Sequence, residues 1–297
     1  PMAIDIPEGL PRLAPRASES HKGTFGTAFL IGGSVGMSGA IILAGRAALR
    51  GGAGLVRLGV PRACLPVVAA GEPSYLTVPL PDTSGGRIGY GAKTEIEREL
   101  QGATAVAVGP GIGRSAGVEA LVWWLYQDCP RPLVVDADGL NALAARRKVV
   151  GKFPLPGGPR ILTPHPGEFD RLVAVGKLSP EDRRRRAPEL AREAGAVLVL
   201  KGHRTLVTDG ERVYTNPTGN PGMATGGSGD VLTGLITALL CQGLGAFEAA
   251  VLGVYLHGLA GDLAAAQLGQ ESLIASDLVD FLPQAFKRYR EAIGERC

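Results

Sequence analysis

The sequence predicts an α/β fold on a mostly parallel central sheet, and three observations carry that prediction. From about Thr27 onward, short apolar runs of strand length alternate with longer runs whose apolar residues recur at helical spacing. The strand-like runs end in loops of Gly, Asp, His, Glu or Lys, and in open parallel sheets ligands bind outside such carboxyl ends. The composition, 45% hydrophobic and 20% charged with 44 Gly in 297 residues, suits a buried sheet joined by tight turns.

The elements follow in order. Residues 1–20, rich in Pro, Arg and Ser, are expected to form an irregular arm. No linker, repeat or low-complexity tract divides the remainder, so residues 21–297 read as a single domain. Residues 28–31 form a buried strand, 32–39 a glycine loop and 40–50 a helix. Strands follow at 55–60 and 103–108, the latter ending in the glycine turn Gly109-Pro-Gly-Ile-Gly113 ahead of a helix at 118–127. The strand at 133–135 delivers Asp136, Asp138 and Asn141, and the strand at 160–162 delivers Thr163-Pro-His-Pro-Gly-Glu168. Residues 197–200 lead into Lys201-Gly-His-Arg-Thr205, and residues 206–208 and 212–215 pair as a hairpin around Asp209-Gly210. Apolar helices near 230–241, 246–267 and 276–292 close the chain.

A formal net charge of +3 is too small to imply a nucleic-acid partner. The run Arg183 to Arg186 follows Ser179-Pro-Glu-Asp182, a helix N-cap with acidic first-turn residues, and reads as a solvated helix face. Cys64, Cys129, Cys241 and Cys297 are scattered, and the four His fall at no metal-ligand spacing, so reduced thiols are expected, with Cys129 and Cys241 in or near the core and Cys297 at a frayed end. The N-terminus shows no basic region followed by an apolar run, and Gln242, Glu248, His257 and Asp262 interrupt the longest apolar segments. A soluble cytoplasmic protein with no membrane partner is the expectation.

The segment Asn220-Pro-Gly-Met-Ala-Thr-Gly-Gly-Ser-Gly-Asp230, running into the apolar residues 231–240, carries the most chemistry. Gly226, Gly227 and Gly229 permit positive φ and close approach of a ligand, and the helix that follows aims free N–H groups and its positive dipole end at an anion. The backbone of Gly226, Gly227, Ser228 and Gly229 is thus a candidate anion hole, and Asp230, in the first helical turn, a candidate general base. A carboxylate so placed is expected to have a low pKa. Other readings stay open at this point: a glycine loop that only lets a helix pack closely, Asp136 and Asp138 as helix N-caps, and His165 as a plain turn residue. Trp123 and Trp124 read as packing residues.

Lys22-Gly-Thr-Phe-Gly26, Gly36-Met-Ser-Gly-Ala40, Gly109 to Gly113, Asp136-Ala-Asp-Gly-Leu-Asn-Ala142, Thr163 to Glu168, Lys201-Gly202 and Asn220 to Asp230 together span most of the chain in one order. As a set they resemble the ADP/ATP-dependent NAD(P)H-hydrate dehydratases, a branch of the ribokinase-like superfamily. The resemblance implies a three-layer α/β/α sandwich. It also implies a carbon-oxygen lyase that phosphorylates the ring hydroxyl of the S-epimer of hydrated NADH or NADPH and eliminates phosphate, with Mg²⁺ and ADP, or else ATP, as donor.

By the same resemblance Lys201, Gly202, His203, Arg204, Thr205 and Gly229 would hold the nucleotide, and Ala40, Gly111, His165 and Asp230 the hydrate. Glu168, Asp136 and Asp138, with Asn141, are candidates to position metal, water or phosphate, and no metal ligand is singled out. Some members carry an epimerase domain ahead of the dehydratase, and a standalone bacterial form is expected here. The family's tendency to form tetramers, and the apolar surface of residues 249–252 through Leu256, suggest self-association. The nearest alternative is a ribokinase-like small-molecule kinase acting on a hydroxymethyl pyrimidine or a hydroxyethyl thiazole.

Overall fold

Strand residues alternate between two cores, and that alternation builds the layers. In the computed structural model, which describes residues 9–294, strand β1 (Thr27–Ile31) sends Ala28 and Leu30 into one core and Phe29 and Ile31 into the other. The remaining elements of the first half are α1 (Ser38–Arg50), β2 (Leu55–Pro61), α2 (Leu65–Ala69), β3 (Leu76–Leu80), α3 (Lys93–Gly102), β4 (Ala105–Val108), α4 (Ala116–Asp128) and β5 (Leu133–Val135). The second half adds α5 (Asp138–Val150), β6 (Arg160–Leu162), α6 (Pro166–Val173), α7 (Pro180–Ala194), β7 (Val197–Leu200), β8 (Leu206–Thr208), β9 (Val213–Thr215), α8 (Ser228–Cys241), α9 (Ala246–Leu268) and α10 (Ala275–Ala292).

The nine strands form one sheet in the order β3-β2-β1-β4-β5-β6-β7-β8-β9. Pairs from β3 across to β7 are parallel, and β8 and β9 add on antiparallel. Helices α1, α2, α8, α9 and α10 cover one face and α3 to α7 the other, so the architecture is an α/β/α sandwich on a mostly parallel sheet. The chain leaves β1 in one direction through β2 and β3 and returns to its other side as β4, which makes the β1/β4 boundary the switch point of the sheet. There the two glycine loops touch, with the Gly33 N–H donating to the Pro110 carbonyl at 2.8 Å.

Several expectations need correction. Strand β3 and helix α3 are absent from the sequence reading; β3 is a half-exposed edge strand interrupted by Pro79, so it lacks a clean apolar run. Helix α1 begins at Ser38, placing Ala40 in its first turn, and α8 begins at Ser228, ahead of Asp230. The arginine run is only partly a solvated face. Arg183 is 8% exposed and donates in a fork to Asp170 at 2.8 and 2.7 Å, while Arg184 reaches the Arg204 carbonyl and Thr215 Oγ1. Arg185 and Arg186 do lie outward, paired with Asp182 and Glu189.

The apolar surface of α9 is consumed inside the molecule: Ala249, Ala250, Val251, Leu252 and Leu256 are all buried, with α8 and α10 packed alongside. The helix is long and apolar enough to cross a bilayer by length and composition, yet 78% of its most apolar stretch is buried. Its hydrophobicity therefore gives no argument for self-association. Cys64, Cys129 and Cys241 are buried free thiols, and Cys297 lies outside the described residues. Of the arm, residues 1–8 lie outside them too, and the rest is irregular but docked: Leu10 and Leu13 join the core and the Leu13 N–H donates to Tyr289 Oη. Trp123 and Trp124 pack against the second core, as expected.

Candidate active site

The carboxyl ends of β5 and β7 and the starts of α6 and α8 converge on one ammonium and three carboxylates. Asp136, at the end of β5, is 1% exposed and accepts hydrogen bonds from Lys201 Nζ at 2.8 Å and from Thr233 Oγ1 at 2.8 Å. Glu168, in the first turn of α6 and 5% exposed, accepts from the His165 N–H at 2.8 Å and keeps an oxygen 3.9 Å from Lys201 Nζ. Asp230 completes the group from the first turn of α8, close enough to interact with Asp136, Lys201 and Glu168.

The charges do not balance, and that shifts the ionisation of each group. Burial first, and then the like charge of Asp136, push Asp230 up to about 7, with Lys201 pulling the other way. Glu168 is pushed up to about 7 mainly by burial as well. Burial pulls Lys201 down, but Asp136, Glu168 and Asp230 together hold its ammonium above the ordinary lysine range. The expectation of a low pKa for Asp230 is therefore wrong. A helix N-terminus supplies roughly 1 kcal/mol to a carboxylate, whereas removal from water beside other carboxylates is worth several pKa units, at about 1.4 kcal/mol each.

Backbone conformation fixes these groups. Ala137, between Asp136 and α5, sits at φ 51°, a left-handed value unusual for a residue with a side chain. Gly109, at φ 131°, passes so close that a Cβ there would collide with the Asp136 carbonyl oxygen. Gly227 is the N-cap of α8 at φ 92°, as expected of a phosphate-type loop, but Gly226 and Gly229 are not left-handed. A Cβ on Gly229 would lie 3.0 Å from Lys201 Nζ, so a side chain there would press on the ammonium that Asp136 holds. The first turn of α8 is clamped from α9, where His257 Nε2 donates to the Ser228 carbonyl at 2.9 Å; burial lowers this histidine to about 4 and keeps it neutral.

A cavity of about 560 Å³ opens beside this cluster, lined by Lys201 to Thr205, Ser228, Gly229, His165 and His257. It gathers the whole expected nucleotide set of Lys201, Gly202, His203, Arg204, Thr205 and Gly229. Arg204 stands at φ 55° with its carbonyl held by Arg184 Nη1 at 2.9 Å, so the arginine on α7 anchors the loop. Gly226, Gly227 and Asp230 are not among the lining residues.

The expected hydrate contacts divide. Ala40 and Gly111 are neighbours at the switch point, where a Cβ on Gly111 would lie 3.0 Å from Ala40 Cβ, whereas His165 lines the cavity beside Lys201. His165 is also the N-cap of α6: its Nδ1 accepts from the Gly167 and Glu168 N–H groups, and Glu168 completes a capping box. Burial, then Lys201 and Arg171, hold its pKa below the usual histidine value.

The metal candidates divide as well. Asp136 is engaged by Lys201 and Thr233 and is no cap, while Asp138 opens α5 on the rim of a second cavity, where Arg114 and Asn141 donate to it at 3.1 and 2.9 Å. Among the described residues no group of three or more His, Cys, Asp or Glu is disposed to hold a metal ion. Sequence reasoning missed Thr233 and His257. Thr233 shares a helix face with Asp230, a spacing visible in the sequence, and His257 is a polar residue inside an otherwise apolar helix.

The raised carboxylates give a pH dependence with a definite sign. Asp230 has a higher pKa folded than unfolded, so the folded state holds its proton longer, and the stability this confers is lost as pH rises from about 4 through about 7. Asp230→Asn removes this half-buried charge. Urea denaturation is expected to show the variant gaining on the wild type by on the order of 2 kcal/mol at pH 8 and by little at pH 4.5; equal differences at the two pH values would contradict the raised pKa.

Comparison with known proteins bears on the family and the fold. A family model described as NAD(P)H-hydrate dehydratase matches residues 28–284. A bifunctional NAD(P)H-hydrate repair enzyme of Moorella thermoacetica is 47% identical over 286 residues, which cover 95% of this chain and 53% of that protein. This chain thus spans about half the length of the first curated relatives it matches. The ADP-dependent (S)-NAD(P)H-hydrate dehydratase of Bacillus subtilis is 38% identical over 284 residues, covering 93% of this chain and 95% of that protein. A solved structure of the ADP/ATP-dependent dehydratase from Bacillus subtilis, co-crystallised with ATP and Mg²⁺, superposes with a TM-score of 0.79 at 34% identity over 93% of this chain and 94% of that one. The fold is the ribokinase-like one. With the family model covering most of its length, the chain belongs to the NAD(P)H-hydrate dehydratase family.

Proposed function

We propose that this chain dehydrates the S-epimer of hydrated NADH and NADPH, using a nucleotide donor, with ADP favoured by the name of the Bacillus subtilis relative. The observation that carries the reading is the place of Asp230: a carboxylate in the first turn of α8, beside a lysine and next to a nucleotide-sized cavity, where burial pushes it up to about 7. That is where a hydroxyl must lose its proton as it becomes a phosphate ester.

Hydroxide is a poor leaving group and phosphate a good one. In the first step the ring hydroxyl oxygen attacks the donor's terminal phosphorus, the bond from that phosphorus to its bridging oxygen breaks, and Asp230 takes the hydroxyl proton. With ADP the other product is AMP. The ring nitrogen's lone pair then expels phosphate, and loss of a proton from the adjacent ring carbon restores the dihydronicotinamide double bond. A base near 7 suits the first step far better than an ordinary carboxylate.

Lys201, held charged by its neighbours, would offset charge on the phosphates, and the backbone N–H groups of Gly226, Gly227, Ser228 and Gly229 would receive the transferring group. The residues fit Mg²⁺ as an ion carried by the donor's phosphates, because Asp136 is already engaged while Glu168 and Asp230 remain undercompensated and able to hold it through water. Bound there, Mg²⁺ would neutralise donor phosphate charge. Ala40 and Gly111, at the switch point, would border the hydrated ring, with His165 between ring and nucleotide. The remaining parts of the reading are one domain over residues 21–297 and a cytoplasmic enzyme, both expected from the sequence, and a homotetramer, which rests on the family resemblance and is checked by sedimentation at micromolar concentration.

The test mixes protein, Mg²⁺ and the hydrates of NADH or NADPH with ADP or ATP, following dihydronicotinamide absorbance and free phosphate together. Recovery of the chromophore with matching phosphate release is expected. A stable phosphorylated product of a hydroxymethyl pyrimidine or hydroxyethyl thiazole, with no recovery from the hydrates, would favour the kinase reading. Asp230→Asn is expected to lower kcat by roughly 10²–10⁴-fold while leaving ADP affinity within a small factor; full activity in that variant would remove Asp230 from the mechanism.

A further inference from the structure

Two members of the four-arginine run on α7 tie that helix to opposite walls of the cavity beside Lys201. Successive side chains on a helix point about 100° apart, so neighbours in sequence can serve different elements. Arg183 forks onto Asp170 of α6, with Nε to Oδ1 at 2.8 Å and Nη2 to Oδ2 at 2.7 Å. Arg184 instead forks onto the Arg204 carbonyl at 2.9 Å and Thr215 Oγ1 at 3.1 Å. We propose that α7 is a brace that sets the width of this cavity, with Arg184 the positioning residue for the loop of residues 201–205. This inference rests on the reading that the cavity takes the donor nucleotide.

One wall is the start of α6, where the N-cap His165 lines the cavity, and the ion pair of Arg183 with Asp170 fixes that helix against α7. The other wall is the loop of residues 201–205, whose Gly202, His203 and Arg204 are exposed. Its ends are held by the Lys201 N–H on the Pro164 carbonyl at 2.9 Å and by the Asn216 N–H on the Thr205 carbonyl at 2.8 Å. Between them Arg204 stands at φ 55°, a left-handed conformation that a residue with a Cβ keeps only under outside constraint. Arg184 supplies a constraint at that point, on the Arg204 carbonyl itself. Without it the peptide is free to rotate toward negative φ, which re-aims the backbone N–H groups and the Arg204 side chain at the cavity.

Arg184 acts through the loop and not on the ligand. It is half-buried and is not among the residues lining the cavity, and both of its acceptors, a carbonyl and a hydroxyl, are neutral. What it contributes is a rigid fork that spans two chain segments, which the single ammonium of a lysine cannot reproduce. Thr215, the second acceptor, immediately precedes Asn216, which lines the same cavity and bonds back to Thr205. One guanidinium therefore holds the tip of the loop and the strand end beside it in a single register.

The test compares ADP binding by calorimetry, and steady-state kinetics, in the wild type, Arg184→Met, Arg184→Lys and Arg185→Met. Arg184→Met is expected to weaken ADP about tenfold, the scale of a lost hydrogen bond to a charged group. The KM for ADP is expected to rise in step, while kcat at saturating ADP and the KM for the hydrate stay within about twofold. Arg184→Lys keeps the charge without the fork, so it is expected to weaken ADP as well, and it carries the test if Arg184→Met does not fold. Arg185→Met removes an equal charge from the exposed side of the same helix and is expected to leave ADP affinity unchanged. Wild-type affinity in Arg184→Lys, or an equal loss in Arg185→Met, would make the effect one of charge and overturn the brace, as would a fall in kcat with both KM values raised together. Any of these results in a protein whose wild type restores the dihydronicotinamide chromophore leaves the dehydratase reading standing. ADP binding that responds to Arg184 as expected, with no chromophore restored, supports the brace and sinks that reading; no nucleotide binding to the wild type would overturn both.

Discussion

The contact between Asp136 and Lys201 is the constraint on which the rest of the site depends. It ties the end of β5 to the end of β7 across the intervening β6, and the second oxygen of Asp136 receives Thr233 from α8. One buried carboxylate thus sets the distance between the sheet edge, the loop after β7 and the helix that presents Asp230. An isolated buried charge would be expensive, and the pair is tolerated because both partners are hydrogen-bonded in place. The cost reappears as function. With Lys201 committed to Asp136, the ammonium cannot fully compensate Asp230 and Glu168, and both titrate near neutrality.

The same geometry divides labour along the sheet edge. The loop after β7 and the start of α8 enclose one cavity, while the glycine loops after β1 and β4 meet at the switch point. Asp136 lies between the two, against Gly109 on one side and Lys201 on the other. Positioning of this kind suits phosphoryl transfer, in which the protein contributes alignment and charge compensation more than covalent chemistry. Neutral His257 and left-handed Ala137 and Arg204 hold that alignment from beneath.

Local features were legible in the sequence because local rules govern them. The strand runs, the glycine turn at Gly109 and the loop entering α8 could be read from period and residue type, and Gly227 adopts the positive φ expected of it. The Asp136 to Thr233 bond was not legible, since its partners are 97 positions apart and meet only when α8 folds over β5. The pKa of Asp230 was misjudged for the same reason: a helix-terminus rule sees one turn, whereas burial by neighbouring elements decides the balance. Helix α9 was misread in the other direction, its apolar residues suggesting an outer surface when α8 and α10 already cover them.

The central claim is that Asp230 is a base poised near neutrality by burial and by Asp136. A carbon-13 NMR titration of the aspartate carboxyls, with Asp230 assigned by its Asn variant, tests this most directly. The account predicts a midpoint for Asp230 of about 7 in the wild type. It also predicts a clear fall in Asp136→Asn, where the like charge is gone and Lys201 is free to turn toward Asp230. A wild-type midpoint near 4, unmoved by Asp136→Asn, would contradict it.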